Sequence, residues 1–94
     1  MFCMNEYYVY ILWDPRKNQP FYVGKGKNNR ARQHFTEARS HRNNTHKCNV
    51  IRAIWKTGLE VEITYPIVDV DEDYAYRAEA LLVALLGRIG GHLH

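Results

Sequence analysis

The sequence predicts an α+β domain: a small three-stranded antiparallel sheet flanked by helices, in the order β-β-α-α-β-α. Three observations carry that expectation. Tyr7-Tyr8-Val9-Tyr10-Ile11-Leu12-Trp13 is an unbroken aromatic and β-branched run, which suits a central strand covered on both faces. A stretch of turn chemistry from Asp14 to Pro20 separates it from Phe21-Tyr22-Val23, a short hairpin partner. Further on, Val50, Ile51, Ile54 and Trp55 recur at helical spacing.

The elements follow in order. Gly24-Lys25-Gly26 is expected to break the second strand, and Asn28 or Asn29 to cap a helix from about Arg30 to Arg39. Residues 40–46 read as loop. Lys47 to Thr57 reads as a second helix, ended by Gly58. Glu60 to Val68 alternates charge with Val61, Ile63 and Tyr65, as a third strand with one wetter face would, and Pro66 favours an edge or the strand's end. Carboxylates from Asp69 to Asp73 suit the start of a last helix. That helix is expected from about Glu72 to Leu86, stopping at Gly87.

The chain has 94 residues, 46% hydrophobic and 24% charged, so residues 1–94 are read as a single folded domain. Two cysteines, Cys3 and Cys48, make no disulfide framework. Neither a signal peptide nor a membrane-spanning run is apparent, since Ala80 to Leu86 is too short to cross a bilayer. The expectation is an intracellular, soluble protein that does not engage a membrane.

The net charge of +3 is an average of unlike parts. Residues 21–57 carry nine lysines and arginines against Glu37 alone, a net of +8. Residues 58–94 sum to −5. A basic block of this density, with His34, His41 and His46 in it, suits the phosphate backbone of a nucleic acid. The alternative is a solvated basic face.

Three features carry chemistry. Glu79 sits on the last helix among Ala75, Tyr76, Leu82 and Val83. A carboxylate on or beside an apolar stripe needs a cation, a hydrogen-bond network or a raised pKa; otherwise it reaches solvent at the stripe's edge. Tyr8 and Tyr10 share one face of the first strand, with Tyr22 on the next; packing alone would explain any one of them. Glycines at 24 and 26 allow a close backbone approach to phosphate, and Lys25 and Lys27 add charge, although no nucleotide-triphosphate loop is present. Arg30 and His34 are spaced one helical turn apart, so they share a face, whereas Arg32 falls elsewhere on the helix.

These residues resemble the GIY-YIG nucleases. The two tripeptides of that family look like Tyr8-Val9-Tyr10 and Tyr22-Val23-Gly24, eleven residues apart. Its helical arginine and histidine match Arg30 and His34, and its later glutamate matches Glu79. Phe-Tyr-Val-Gly-Lys-Gly-Lys, at 21–27, is similar to the second strand and turn of some members. There are two departures. Tyr8 stands where the leading glycine is usual. No asparagine follows the glutamate helix, so the family residue has been dispensed with or the C-terminus is cut short.

The resemblance implies a metal-dependent endonuclease that hydrolyses DNA phosphodiesters to 5′-phosphate and 3′-hydroxyl ends. It implies Glu79 as the ligand of one Mg²⁺ (or Mn²⁺) ion and Arg30 as stabiliser of the transition state. Tyr10 would orient or deprotonate the attacking water, with Lys25 or Arg30 lowering its pKa from about 10. Tyr22 and His34 would help hold water or phosphate. Gly24, Lys25, Gly26, Lys27 and Arg32 are expected at the substrate. The alternative is a non-catalytic nucleic-acid-binding module of the same fold, and an oligomer is compatible with either. A structural zinc site from His34, His41, His46 and Cys48 is the third reading, but the spacing does not match common ligand pairs.

Overall fold

A computed structural model describes residues 6–40 and 42–90. Its elements are β1 (Tyr7–Asp14), β2 (Gln19–Gly26), α1 (Arg30–Arg39), α2 (His46–Lys56), β3 (Glu62–Val70) and α3 (Glu72–Gly90). They form one antiparallel sheet in the order β2-β1-β3, as the aromatic run of β1 predicts for a central strand.

Alternation along β1 feeds two cores. Tyr10 and Leu12 face α1 and α2, where they join Phe21, Ala31, Ala38, Cys48, Ile51 and Ile54. Val9 and Ile11 face the other way, with Val23, Ala75 and the half-buried Leu82, Val83 and Leu86 of α3. A run without polar positions is therefore required: either side of β1 is interior.

Several boundaries differ from expectation. The second strand does not break at Gly24. It runs on to Gly26, because Gly24 and Gly26 pair with Tyr10 and Tyr8 and leave room for bulky neighbours. Pro66 takes the edge placement expected of it rather than the strand's end: it lies within β3, at the sheet edge, where a missing N–H is tolerated. The β3 register slips twice against β1, between the partners of Tyr7 and Val9 and again between those of Val9 and Ile11. Each slip turns the strand over. Val61 and Ile63 thus serve the α1–α2 core, whereas Ile67 and Val70 serve the α3 core. Asp69 belongs to β3 with a left-handed φ of 59°, and it is Asp71 that caps α3, accepting from Tyr74 N at 2.7 Å. α3 passes through Gly87 to Gly90, since Gly87 keeps a negative φ and costs the helix only about 1 kcal/mol.

Local chemistry fixes the connections. In the β1–β2 turn the Asp14 carboxylate accepts from Arg16 N, Nε and a terminal nitrogen at 2.8–3.3 Å. The Arg16 hydrogen bond holds the Asp14 carboxyl below its ordinary range. α2 starts one residue earlier than expected, capped by the Thr45 hydroxyl, and ends as expected before Gly58 at φ 83°. Arg52 reaches back from α2 to donate to the carbonyls of Ala38, Ser40 and Asn43, pinning the α1–α2 loop.

Ile51 is fully buried between α1, α2 and the sheet, while Leu81 on α3 is 60% exposed. Ile51→Ala should therefore lower the unfolding free energy by about 2–5 kcal/mol in urea denaturation. Leu81→Ala should change it by less than about 0.5 kcal/mol.

Candidate active site

The sheet places the tyrosines first. Tyr8 and Tyr10 project from one face of β1, and the register sets Tyr22, Gly24 and Gly26 of β2 across from Leu12, Tyr10 and Tyr8. A Cβ on Gly24 would stand 2.6 Å from the Tyr10 hydroxyl and 2.9 Å from the Tyr22 ring. The glycine is the hollow into which the two phenols converge. Gly26 does the same for the helix: its absent Cβ would lie 2.5 Å from that of Arg30. It lets the first turn of α1 sit down on the strand.

Tyr8 secures that turn. No side chain of Asn28 or Asn29 caps α1. Instead the Tyr8 hydroxyl accepts from Ala31 N at 3.1 Å and donates to the Asn28 carbonyl at 2.7 Å. The residue that replaces the usual leading glycine thus satisfies the helix start from across the sheet.

His34, one turn beyond Arg30, is fully buried against the tyrosines. Its ring meets that of Tyr22 edge-on at 4.7 Å, and its Nε2 is hydrogen-bonded to the Tyr10 hydroxyl. Burial, then the charges of Lys47 and Arg30, pushes the His34 pKa down to about 4, so the ring is neutral at pH 7. Burial, helped by Tyr22, Tyr8 and Glu79, also pushes the Tyr10 phenol well above its ordinary value, and only Arg30 opposes it. The proton therefore resides on Tyr10, which donates to Nε2, and Nδ1 carries the imidazole hydrogen. Nδ1 is buried without a hydrogen-bond partner; the nearest carboxylate oxygen, Glu37 Oε1, is 3.8 Å away. Lys47 binds Glu37 at 3.0 Å and lies 5.2 Å over the Tyr22 ring, holding the Glu37 carboxyl low.

Arg30 and Glu79 complete the cluster electrostatically. Both charges are felt at the Tyr10 hydroxyl: Arg30 favours ionisation and Glu79 opposes it. The Arg30 side chain is exposed and, among the described residues, hydrogen-bonded only to Gln33, at 2.9 Å. Glu79 is half-buried on α3 and has neither ion pair nor hydrogen bond among the described residues. α3 packs on the face of the sheet opposite α1, chiefly against β2, so Glu79 approaches from the other layer.

The structure thus brings Tyr10, Tyr22, Gly24 and His34 together, with Arg30 one helical turn away and Glu79 reaching the Tyr10 hydroxyl only through its charge. Two expectations change. Lys25 and Lys27 alternate to the far face of β2, where both lie 5.5 Å from the Tyr7 ring and Lys25 binds Glu72 at 3.1 Å. Tyr10 is not pushed toward ionisation by neighbouring cations, because burial outweighs Arg30. Lys25, Gly26, Lys27 and Arg30 nevertheless line one groove of about 500 Å³. Arg32 lies in a different groove, with Phe35, Trp55 and Tyr65. Sequence reasoning missed Lys47 and Glu37; their only signal is the long-range packing of α2 on α1. Among the described residues no three His, Cys, Asp or Glu side chains gather as a metal cluster, and His41 of the zinc reading lies outside them.

A strand-borne tyrosine pair, a helical Arg–His pair and a glutamate on the last helix are the residues whose order in the chain resembles a nuclease-type domain. The chain belongs to the GIY-YIG nuclease family: the family model described as the LEM-3-like GIY-YIG domain matches residues 7–89. No curated protein and no solved structure matches the chain. Membership implies DNA as substrate, and no helix among the described residues is long and apolar enough to cross a membrane.

Because folded His34 titrates near 4 and an unfolded histidine near 6.5, the unfolded chain binds the extra proton between those values. Stability should fall as pH drops from 6.5 to 4, by about 3 kcal/mol. His34→Gln should flatten that slope in pH-dependent urea melts, leaving the lower-pH loss due to Asp14 and Glu37. Gly24→Ala should separate Tyr10 from His34 and lower the melting temperature.

Proposed function

We propose that this domain is a metal-dependent DNA endonuclease that leaves 5′-phosphate and 3′-hydroxyl ends. The observation that carries the reading is the buried Tyr10–His34 hydrogen bond beside Tyr22, within electrostatic reach of both Arg30 and Glu79.

The attacking oxygen comes from a water hydrogen-bonded to Tyr10. As that oxygen bonds to phosphorus, the P–O3′ bond breaks. The water's proton passes to the Tyr10 oxygen while the Tyr10 proton moves to His34 Nε2. Glu37, 3.8 Å from Nδ1, then offsets the imidazolium charge. A neutral histidine is required at the start, which its depressed pKa provides. Arg30 compensates charge growing on the phosphoryl oxygens, and the departing O3′ takes a solvent proton.

Glu79 is the residue that would hold a divalent cation. The fit rests on its half-buried carboxylate lacking a cationic partner among the described residues, close enough to act on Tyr10. A single carboxylate suits Mg²⁺ or Mn²⁺, which keep most of their waters. When bound, the ion supplies charge neutralisation at the phosphate and at the leaving oxygen. The groove of Lys25, Lys27 and Arg30 would follow the DNA backbone beside the site.

Incubation with supercoiled plasmid and Mg²⁺ should yield nicked circles. Arg30→Ala and Tyr10→Phe should each slow nicking by about 10²–10³-fold, and Glu79→Gln should abolish it. Equal nicking by Glu79→Gln defeats the proposal, and salt-sensitive binding without cleavage under any divalent metal favours the non-catalytic module instead. Nicking should also decline as pH falls toward 4, where His34 becomes protonated, with no limb from Tyr10 ionisation below pH 9.

A further inference from the structure

We propose that the groove on the far side of α1 is a stacking site for unpaired nucleotides, which holds a single strand of DNA leading away from the tyrosine cluster. It rests on the reading of the domain as a nuclease.

This groove, of about 410 Å³, differs in chemistry from the one beside Arg30. Its floor is aromatic and aliphatic: Phe35 and Trp55, 6.3 Å apart between ring centres, and Ile63 of β3. Tyr65, 45% exposed, stands at one end. Arg32 and Arg39 from α1 form the rim, and the Arg39 guanidinium lies 5.7 Å over the Trp55 ring. Neither arginine has a carboxylate partner among the described residues, although Glu60 lines the same groove.

The groove beside Arg30, by contrast, is lined by lysine, arginine, asparagine, glutamine and glycine alone. A duplex presents phosphates to such a surface and keeps its base faces hidden in the stack. An exposed tyrosine ring, with half-buried Phe35 and Trp55 behind it and two arginines at the rim, serves a strand whose bases are unpaired.

A chain of ring contacts links the groove to the tyrosine cluster. Tyr8 meets Tyr10 edge-on at 5.8 Å on one side and Tyr65 at 5.4 Å on the other. The Tyr65 end of the groove is therefore two rings from the Tyr10 hydroxyl. A strand leaving the reacting phosphate meets Tyr65 next, then Arg32 and the Trp55–Arg39 pair.

The test measures binding of the full chain, in chelator so that nothing is cut, to a fluorescein-labelled oligothymidylate and to a labelled duplex. Tyr65→Ala should weaken single-strand binding about 5- to 100-fold, the loss of one base–aromatic stack. Tyr65→Phe, which keeps the ring, should bind as wild type does. The Arg32→Ala/Arg39→Ala variant should weaken single-strand binding at least as much, while duplex affinity changes by less than about twofold in every variant. Unchanged single-strand binding by Tyr65→Ala overturns the proposal, as does an equal loss for single strand and duplex. The two readings fail separately. Ring-dependent single-strand binding without plasmid nicking would sink the nuclease reading and leave the groove, whereas Glu79-dependent nicking with an indifferent Tyr65→Ala would sink the groove alone.

Discussion

A strand covered on both sides sets the terms for this small domain. β1 lies between its two partner strands and between two helical layers, and Val9 and Leu12 are wholly excluded from water on opposite faces. Each such side chain contributes about 1.5–3 kcal/mol by leaving water. Neither core would close without it: one holds α1 and α2, the other α3. The proposed chemistry would be carried by the same strand, since Tyr10 lies two residues before Leu12 on the same face.

Placing reactive groups on that strand has an electrostatic consequence. The low-dielectric interior that closes the core also keeps Tyr10 protonated and His34 neutral. A phenol and an imidazole in those states make a directional pair, the first donating and the second accepting. The charged members, Arg30 and Glu79, stand further out, on elements that reach the cluster from opposite faces of the sheet. Glycines at 24 and 26 are what allow so much aromatic and helical bulk to approach one strand.

Much of this was legible in the chain. The unbroken aromatic run marks a central strand because only such a strand tolerates apolar residues at every position. Arg30 and His34 share a helix face by spacing alone, and Glu79 is anomalous on its stripe for the same reason. Element boundaries were less legible where glycine was read as a break. Gly24 and Gly26 are strand residues needing clearance, a demand made by Tyr10 and Arg30 from elsewhere. Pro66 survives within β3 because that strand is an edge, which depends on strand order. The turning-over of β3 escapes any pattern of alternation, since the extra residues are visible only against the β1 register.

The sequence by itself determined the fold class, the family and the basic middle segment, and it singled out the tyrosine, arginine, histidine and glutamate residues on which the proposed function rests. Those follow from residue type and spacing, which are local. Tertiary structure alone decided that Tyr8 caps α1, that Lys25 and Lys27 turn to the far face, that Lys47 and Glu37 flank His34, and that Arg32 joins Trp55 and Tyr65 in a separate groove. It also decided the protonation of Tyr10 and His34, because burial depends on what the rest of the chain lays over them.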